Sequence, residues 1–345
     1  MRHFQLLWLS GLVLLLFLSG LVYLLGGRFC SDFKTAMTQA NAEGVLVVNK
    51  EPFSLESEVS SVINDSAFAG FGRLIFPVDR TLPPHTPLND AGKAYIWYSY
   101  IKPERTVSIV NELKARTLAG EQVFYDIYSP AEKAKDPDKN DTGIFFFRGS
   151  PQGKTAIISA GGGFVYVGAM HDSFPHAQEL AKRGYNAFAI IYRPGAREAC
   201  EDLARAIAFI HKHADELNVD VRDYSLWGGS AGARMAAWVG SYGTKAFGEK
   251  EYPKPATVIM QYTGLSEVTG AEPPTYSCVG TADSIASYHT MEQYTARIQA
   301  NGTAAEIEVF PGLPHGFGLG EGTVADGWLE HAVSFWQQQM KNELE

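Results

Sequence analysis

The chain has 345 residues, 46% of them apolar and 19% charged, and a formal net charge of −9. That is enough apolar material for a sizeable core, in two domains or in one α/β domain with an extension, and the acidic balance argues against nucleic acid as a partner. Cys30, Cys200 and Cys278 show no C-x-x-C spacing, which argues against a zinc cluster, and they are too few for a disulfide framework.

The N-terminus, "MRHFQLLWLSGLVLLLFLSGLVYLLGGR", carries no charge from Phe4 to Gly27. A helix needs about 20 apolar residues to span the hydrocarbon core, whereas a cleaved signal peptide has an apolar stretch of about 7–15 and a small-x-small cleavage site. Residues 1–28 are therefore expected to form an uncleaved signal anchor, a transmembrane helix that puts the rest of the chain outside the cytoplasm. The alternative is a secreted or periplasmic protein after cleavage. Gly27-Arg28-Phe29 ahead of Cys30 does not resemble a lipobox. The N-x-[ST] matches at Asn64, Asn140 and Asn301 are read as chance.

Residues 29–60 are polar and weakly patterned and read as a tether. Residues 61–120 form an N-terminal extension: a proline-rich turn region, then "ERTVSIVNELKARTLAG", in which Val107, Ile109, Val110 and Leu113 have helical spacing and Gly120 supplies a stop. From there the pattern alternates. "QVFYDIY", "GIFFFRG" and "TAIISA" read as strands, and the last ends at Gly161-Gly162-Gly163. A helix over "DSFPHAQELAKRG" leads to the strand "NAFAIIY", and a helix over "REACEDLARAIAFIHKHADEL" leads to "DYSLW". A helix begins at "AGARMAAWVGSYG", followed by strands "ATVIMQY" and "TYSCVG", a helix over "ASYHTMEQYTARIQANG", the strand "AAEIEVF" and a closing helix "DGWLEHAVSFWQQQMK". Short β-branched strands alternating with amphipathic helices predict an α/β fold: a doubly wound, mostly parallel sheet with helices on both faces. Active sites of such sheets lie at the carboxyl ends of the strands.

Three strand ends carry the residues of a nucleophilic site. Ser230 stands in Gly228-Gly229-Ser230-Ala231-Gly232, directly after "DYSLW" and before a helix. This is the G-x-S-x-G pattern of a sharp strand-to-helix turn, where glycines make room for close backbone approach. Asp283 follows "TYSCVG", and His315 follows the last strand. A serine hydroxyl is a poor nucleophile at neutral pH. His315 is expected to take its proton and later return it to the leaving group, while Asp283 fixes the imidazole tautomer. The order Ser230, Asp283, His315 is the triad order for this architecture. Ala231 opens the helix, so its N–H points toward anything bound at Ser230. "SAGGGF", residues 159–164, sits after an earlier strand and offers further backbone N–H groups to a developing oxyanion.

At these residues the chain resembles the α/β-hydrolase superfamily on its carboxylesterase and acetyl esterase side. "GGSAG" matches the nucleophile elbow, "AGGGF" resembles the oxyanion motif, "GTAD" the acid loop and "PHGFG" the histidine loop, in order over roughly residues 120–341. The resemblance implies that 61–345 is the catalytic domain with its extension, and that Gly161 and Gly162 join Ala231 in the oxyanion hole while Gly163 shapes the turn. Ala160 departs from the motif, which usually has histidine there. The implied activity is hydrolysis of short-chain carboxylic esters through an acyl-Ser230 intermediate, with acetyl groups on a glycan as one concrete substrate. No cofactor and no metal are implied. The expected partners are the ester substrate and, through residues 1–28, a membrane.

Competing readings stay beside these. Glu267, also after a strand, is an alternative acid. Asp202 either orients a loop or is a solvated or capping carboxylate. His171 and His176 are spaced wrongly for a metal pair on one helical face and read as structural or rim residues. Phe164 and Tyr166 either line a pocket or pack in the core; Trp227 reads as core. The functional rivals are a serine peptidase or amidase with the same triad, and a non-catalytic binding scaffold at a membrane surface.

Overall fold

A computed structural model of the chain describes residues 50–340 apart from Thr81 and Pro84. The signal anchor read at 1–28 and most of the tether lie outside the described residues. Among the described residues no helix is long and apolar enough to cross a membrane.

The compact unit starts at Glu51, not at residue 61. The end of the expected tether belongs to the core: Phe53 and Val59 are buried, and Phe53 N–H donates to the Asn111 side chain at 2.7 Å. These apolar side chains have a hydrophobic surface to cover on the helix of the extension, so the polar look of the segment did not decide its place.

Eight strands form one sheet in the order β1-β2-β4-β3-β5-β6-β7-β8. They are β1 (Phe124–Tyr125), β2 (Gly143–Phe147), β3 (Lys154–Ser159), β4 (Asn186–Ile191), β5 (Asp220–Gly229), β6 (Thr257–Gln261), β7 (Thr275–Gly280) and β8 (Ala305–Phe310). β2 runs antiparallel to β1 and β4, and the strands from β4 through β8 are parallel to their neighbours. The strand expected over "QVFYDIY" shrinks to two paired residues, because it is the outermost strand and pairs on one side alone. β2, β4 and β6 are buried throughout, as their continuous apolar runs predict, while β5 is buried from Tyr224 onward.

Six helices matter here: α1 (Pro103–Leu118), α2 (Phe174–Lys182), α3 (Ala196–Lys212), α4 (Ala231–Tyr242), α5 (Tyr288–Ala300) and α6 (Trp328–Gln339). Successive side chains of a strand point to opposite faces. On β5, Trp227 meets Trp328 and Trp336 of α6, while a Cβ at neighbouring Gly228 would meet the backbone of α4 at 2.3 Å. Thus α6 and α4 cover opposite faces, and Trp227 is core as expected. Cys200 and Cys278 are both free and buried.

Asp202 on α3 is neither solvated nor a cap. Its fully buried carboxylate accepts from the Arg193 backbone N–H at 2.7 Å, from the Arg193 guanidinium at 2.8 Å and from the Tyr128 hydroxyl at 2.6 Å. It therefore ties the loop after β4 to α3, which is the loop-orienting role. Removing one partner of such a buried pair strands the other charge. Asp202→Ala is expected to destabilise the fold by about 3–5 kcal/mol, read as a lowered midpoint in urea unfolding at neutral pH.

Candidate active site

The carboxyl ends of β5, β7 and β8 converge. Ser230 ends β5 with φ 51° and ψ −115°, a strained conformation for a residue with a side chain. The turn is held by the Ser230 backbone N–H, which donates to the Gln261 carbonyl at 2.9 Å. It is sharp enough that a Cβ at Gly232 would stand 2.0 Å from the Ser159 carbonyl oxygen, and one at Gly229 would stand 2.3 Å from the Asp172 carboxylate. No other residue type fits either place without moving β3 or Asp172.

Ser230 Oγ lies 3.1 Å from His315 Nε2, and His315 Nδ1 lies 2.7 Å from Asp283 Oδ2. The other oxygen of Asp283 accepts from the backbone N–H groups of Ile285 and Ala286 at 2.8 and 2.7 Å, which fixes the carboxylate plane. The His315 side chain is 6% exposed and that of Asp283 is fully covered. A carboxylate at Nδ1 holds the proton there and leaves Nε2 free to accept one from the serine. The arrangement can move a proton from Ser230 Oγ onto the imidazole and stabilise the resulting cation. Glu267, the alternative acid, is exposed on the loop after β6, and the acid bonded to His315 is Asp283.

The glycine loop after β3 faces the same spot with one correction. The Gly161 N–H donates to Asp172 Oδ2 at 2.6 Å, so it is not available to an oxyanion. The reason is local: the turn after β3 points this first N–H inward, onto a buried carboxylate. Among the described residues no acceptor is paired with the N–H groups of Gly162, Gly163 or Ala231. Those three are the free donors, and Gly163, read as a turn-shaper, joins them.

Asp172 was not singled out from the sequence, where it stands in an unremarked "MHDSF". Besides Gly161 it accepts from the hydroxyls of Tyr98, at 3.1 Å, and Tyr262. Burial raises its carboxyl from 3.8 to about 6, against the pull of these three donors. The Tyr262 ring in turn packs edge-on against His315, centroids 4.9 Å apart.

The extension reaches the site too. Ser99 Oγ donates to the His315 carbonyl at 2.9 Å and Ser99 N–H to that of Gly316 at 3.0 Å. Trp97 stacks on the fully buried Tyr166 at 5.4 Å and abuts Gly163. Tyr166 is thus core, while Phe164 is half-buried and stacks on Trp238 of α4 at 6.0 Å. His171 is buried and pushed down to about 4 by desolvation, with Nε2 3.0 Å from the Gly316 carbonyl. His176, buried against Trp328, is pushed down to about 3. Both imidazoles are neutral structural groups near neutrality. Among the described residues no group of three or more His, Cys, Asp or Glu is arranged to hold a metal ion.

The BD-FAE family model matches residues 148–273, a span that holds the glycine loop and Ser230 and ends before Asp283 and His315. Esterase 2 of Thermogutta terrifontis is 22% identical, with 59% of this chain and 92% of that one covered and a TM-score of 0.51. An acetyl ester-xyloside bifunctional hydrolase from Caldicellulosiruptor lactoaceticus is 21% identical, with 57% and 88% covered and a TM-score of 0.51. Endo-1,4-beta-xylanase B of Butyrivibrio fibrisolvens is 31% identical over 86 residues; the chain spans 13% of the length of that relative. The fold of this chain is the α/β-hydrolase fold.

Two outcomes follow from the geometry. Gly232→Ala, whose Cβ would collide with the Ser159 carbonyl, is expected to abolish soluble folded protein or to lower its melting temperature markedly in calorimetry. For Asp172, the folded state keeps a proton that the unfolded chain has already lost between pH 3.8 and about 6. Its contribution to stability therefore falls as pH rises through that window and is flat above it. Asp172→Asn, which cannot ionise, is expected to remove this slope, so the stability of the parent relative to the variant should decline from pH 4 to pH 6 in denaturant titrations.

Proposed function

We propose that this protein is a serine-dependent hydrolase of short-chain carboxylic esters, with acetyl groups on a glycan as its concrete substrate. The observation that carries the reading is the Ser230–His315–Asp283 chain at 3.1 and 2.7 Å, beside three unpaired backbone N–H groups. Ser230 Oγ attacks the ester carbonyl as its proton passes to His315 Nε2. The carbonyl oxygen, now an anion, is held by the N–H groups of Gly162, Gly163 and Ala231, the last at the positive end of α4. Collapse of the tetrahedral intermediate expels the alcohol, protonated by His315, and leaves acyl-Ser230. Water, deprotonated by His315, then attacks the acyl carbon and releases the acid and free serine.

The fold relatives named as esterases support this reading, and the acetyl ester-xyloside hydrolase among them supports an acetylated carbohydrate. A further solved structure of the Thermogutta terrifontis esterase, 20% identical with a TM-score of 0.50, is described with butyrate bound, which is in keeping with a short acyl group. The anchor read at residues 1–28 belongs to the proposal: it holds the enzyme at a membrane with the site outside the cytoplasm.

The test is covalent labelling with a fluorophosphonate together with turnover of an acetyl chromogenic ester. The parent is expected to do both and Ser230→Ala neither. Asp283→Asn is expected to lose about 10⁴-fold in kcat, since an asparagine at Nδ1 favours the wrong tautomer, while Glu267→Gln is expected to stay close to the parent. A folded parent that neither labels nor hydrolyses any ester overturns the reading in favour of a binding scaffold. Faster turnover of the matched amide than of the ester points to a peptidase or amidase.

A further inference from the structure

Helix α4 leaves Ser230 with one face open. Of its own residues, Arg234, Trp238 and Tyr242 alone escape full burial, and they follow Ser230 at steps of four. Residues at i and i+4 lie one above the other on a helix, so Arg234, Trp238 and Tyr242 form one stripe along α4, the helix that directly follows Ser230. Two features of the stripe need an explanation that packing does not supply.

The first is Arg234. The residue is half-buried, and its guanidinium has no ion pair or hydrogen bond among the described residues. In the same molecule Arg193, Arg105, Arg116, Arg183 and Arg205 all have carboxylate partners. Removing a charge from water without a partner is unfavourable, and this chain has carboxylates in excess with which to satisfy it. Exposed Glu267 is on the neighbouring loop and still makes no ion pair with it. That loop also leaves the guanidinium room: a Cβ at Gly264 would lie 3.3 Å from Arg234 Nη2. The loop is held in place from behind, since the Arg297 guanidinium of α5 donates to the Ser266 carbonyl at 3.1 Å.

The second feature is the aromatic pair one turn further on. Trp238 stacks on Phe164 with rings 11° apart, and Phe164 directly follows the oxyanion glycines. Both rings are half-buried, and Tyr242 beyond them is 53% exposed. From the end of α4 that follows Ser230, the uncovered side of the helix therefore carries a free cation and then the Trp238–Phe164 pair. A planar guanidinium matches a carboxylate with two parallel N–H···O bonds, and aromatic faces match the apolar face of a pyranose ring.

We infer that Arg234, with the Trp238–Phe164 pair one turn beyond it, binds the alcohol part of the substrate, and that this part is an acidic saccharide whose carboxylate pairs with Arg234. The inference rests on the reading of Ser230 as the nucleophile of an acetyl ester hydrolase. An acetyl group is too small to reach along the helix, so the portion that lies on α4 is the sugar. The preference comes from the partly buried guanidinium at short range and acts against the net negative charge of the chain.

The experiment uses the full-length protein and two matched probes, a monoacetylated methyl glucuronoside and the corresponding monoacetylated methyl glucoside. The readout is the ratio of their kcat/KM values. The parent is expected to favour the acidic sugar by about tenfold or more, the scale of a hydrogen-bonded charge pair. Arg234→Met is expected to bring the ratio near one, and Arg234→Lys, which keeps the charge and loses the fork, to an intermediate value. Arg234→Lys carries the test if Arg234→Met does not fold, as judged by circular dichroism. A parent that labels with fluorophosphonate and turns over both sugars at a ratio near one overturns the acidic-saccharide proposal and leaves the hydrolase reading standing. So does a preference that both variants retain. A folded parent that fails to label overturns the hydrolase reading itself.

Discussion

One buried carboxylate organises the site. Asp172 has no cation against it and is sustained by three donors from three places in the chain: Gly161 from the glycine loop, Tyr98 from the extension and Tyr262 from the end of β6. A carboxyl in an apolar interior resists ionisation, and each donor offsets part of that resistance. The arrangement is mutual. The donors keep the carboxylate charged, and the carboxylate keeps their segments in place. The Gly161 N–H is tied to it, while the N–H groups of Gly162 and Gly163 that follow have no acceptor among the described residues. Tyr262 cannot rotate either, so its ring stays against His315. The group therefore sets the position of the glycine loop relative to His315.

The same logic accounts for the extension. The segment holding Trp97, Tyr98 and Ser99 packs against the glycine loop and bonds to Asp172 and to the histidine loop. Loops gain mobility as their contacts fall. Here Ser99 binds the carbonyls of His315 and Gly316, so the imidazole enters its bond with Ser230 from a backbone that is already ordered. Preorganisation of this kind lowers the reorganisation needed at the moment of proton transfer. The extension is thus part of the site rather than a spacer before it.

Charge is distributed accordingly. The chain is acidic as a whole, yet most buried or half-buried arginines are matched to carboxylates, as in the pair of Arg193 with Asp202. That pair ties the loop after β4 to α3. Among the described residues, half-buried Arg80 lacks a carboxylate but lies over the Tyr166 ring, while Arg234, one helical turn from Ser230, has neither.

Much of the architecture was legible in the amino-acid sequence. Apolar runs of strand length and helices with a 3.6-residue period are local facts, so the eight-stranded pattern, the elbow at Ser230 and the strand ends carrying Asp283 and His315 could be read from short windows. The hydrogen-bond chain of Ser230, His315 and Asp283 was also readable, because a serine placed on such a turn calls for a base and a base for an orienting acid. What the sequence could not decide depends on contacts between distant segments. Asp172 lies 74 residues from Tyr98 and 90 from Tyr262, and no period or motif links them. The loss of Gly161 as a free donor, the folding of residues 51–60 into the core and the clamp made by Ser99 are all consequences of such contacts. A local pattern determines what a segment can form; the direction in which its N–H groups and carboxylates finally point is decided by the other segments packed against them.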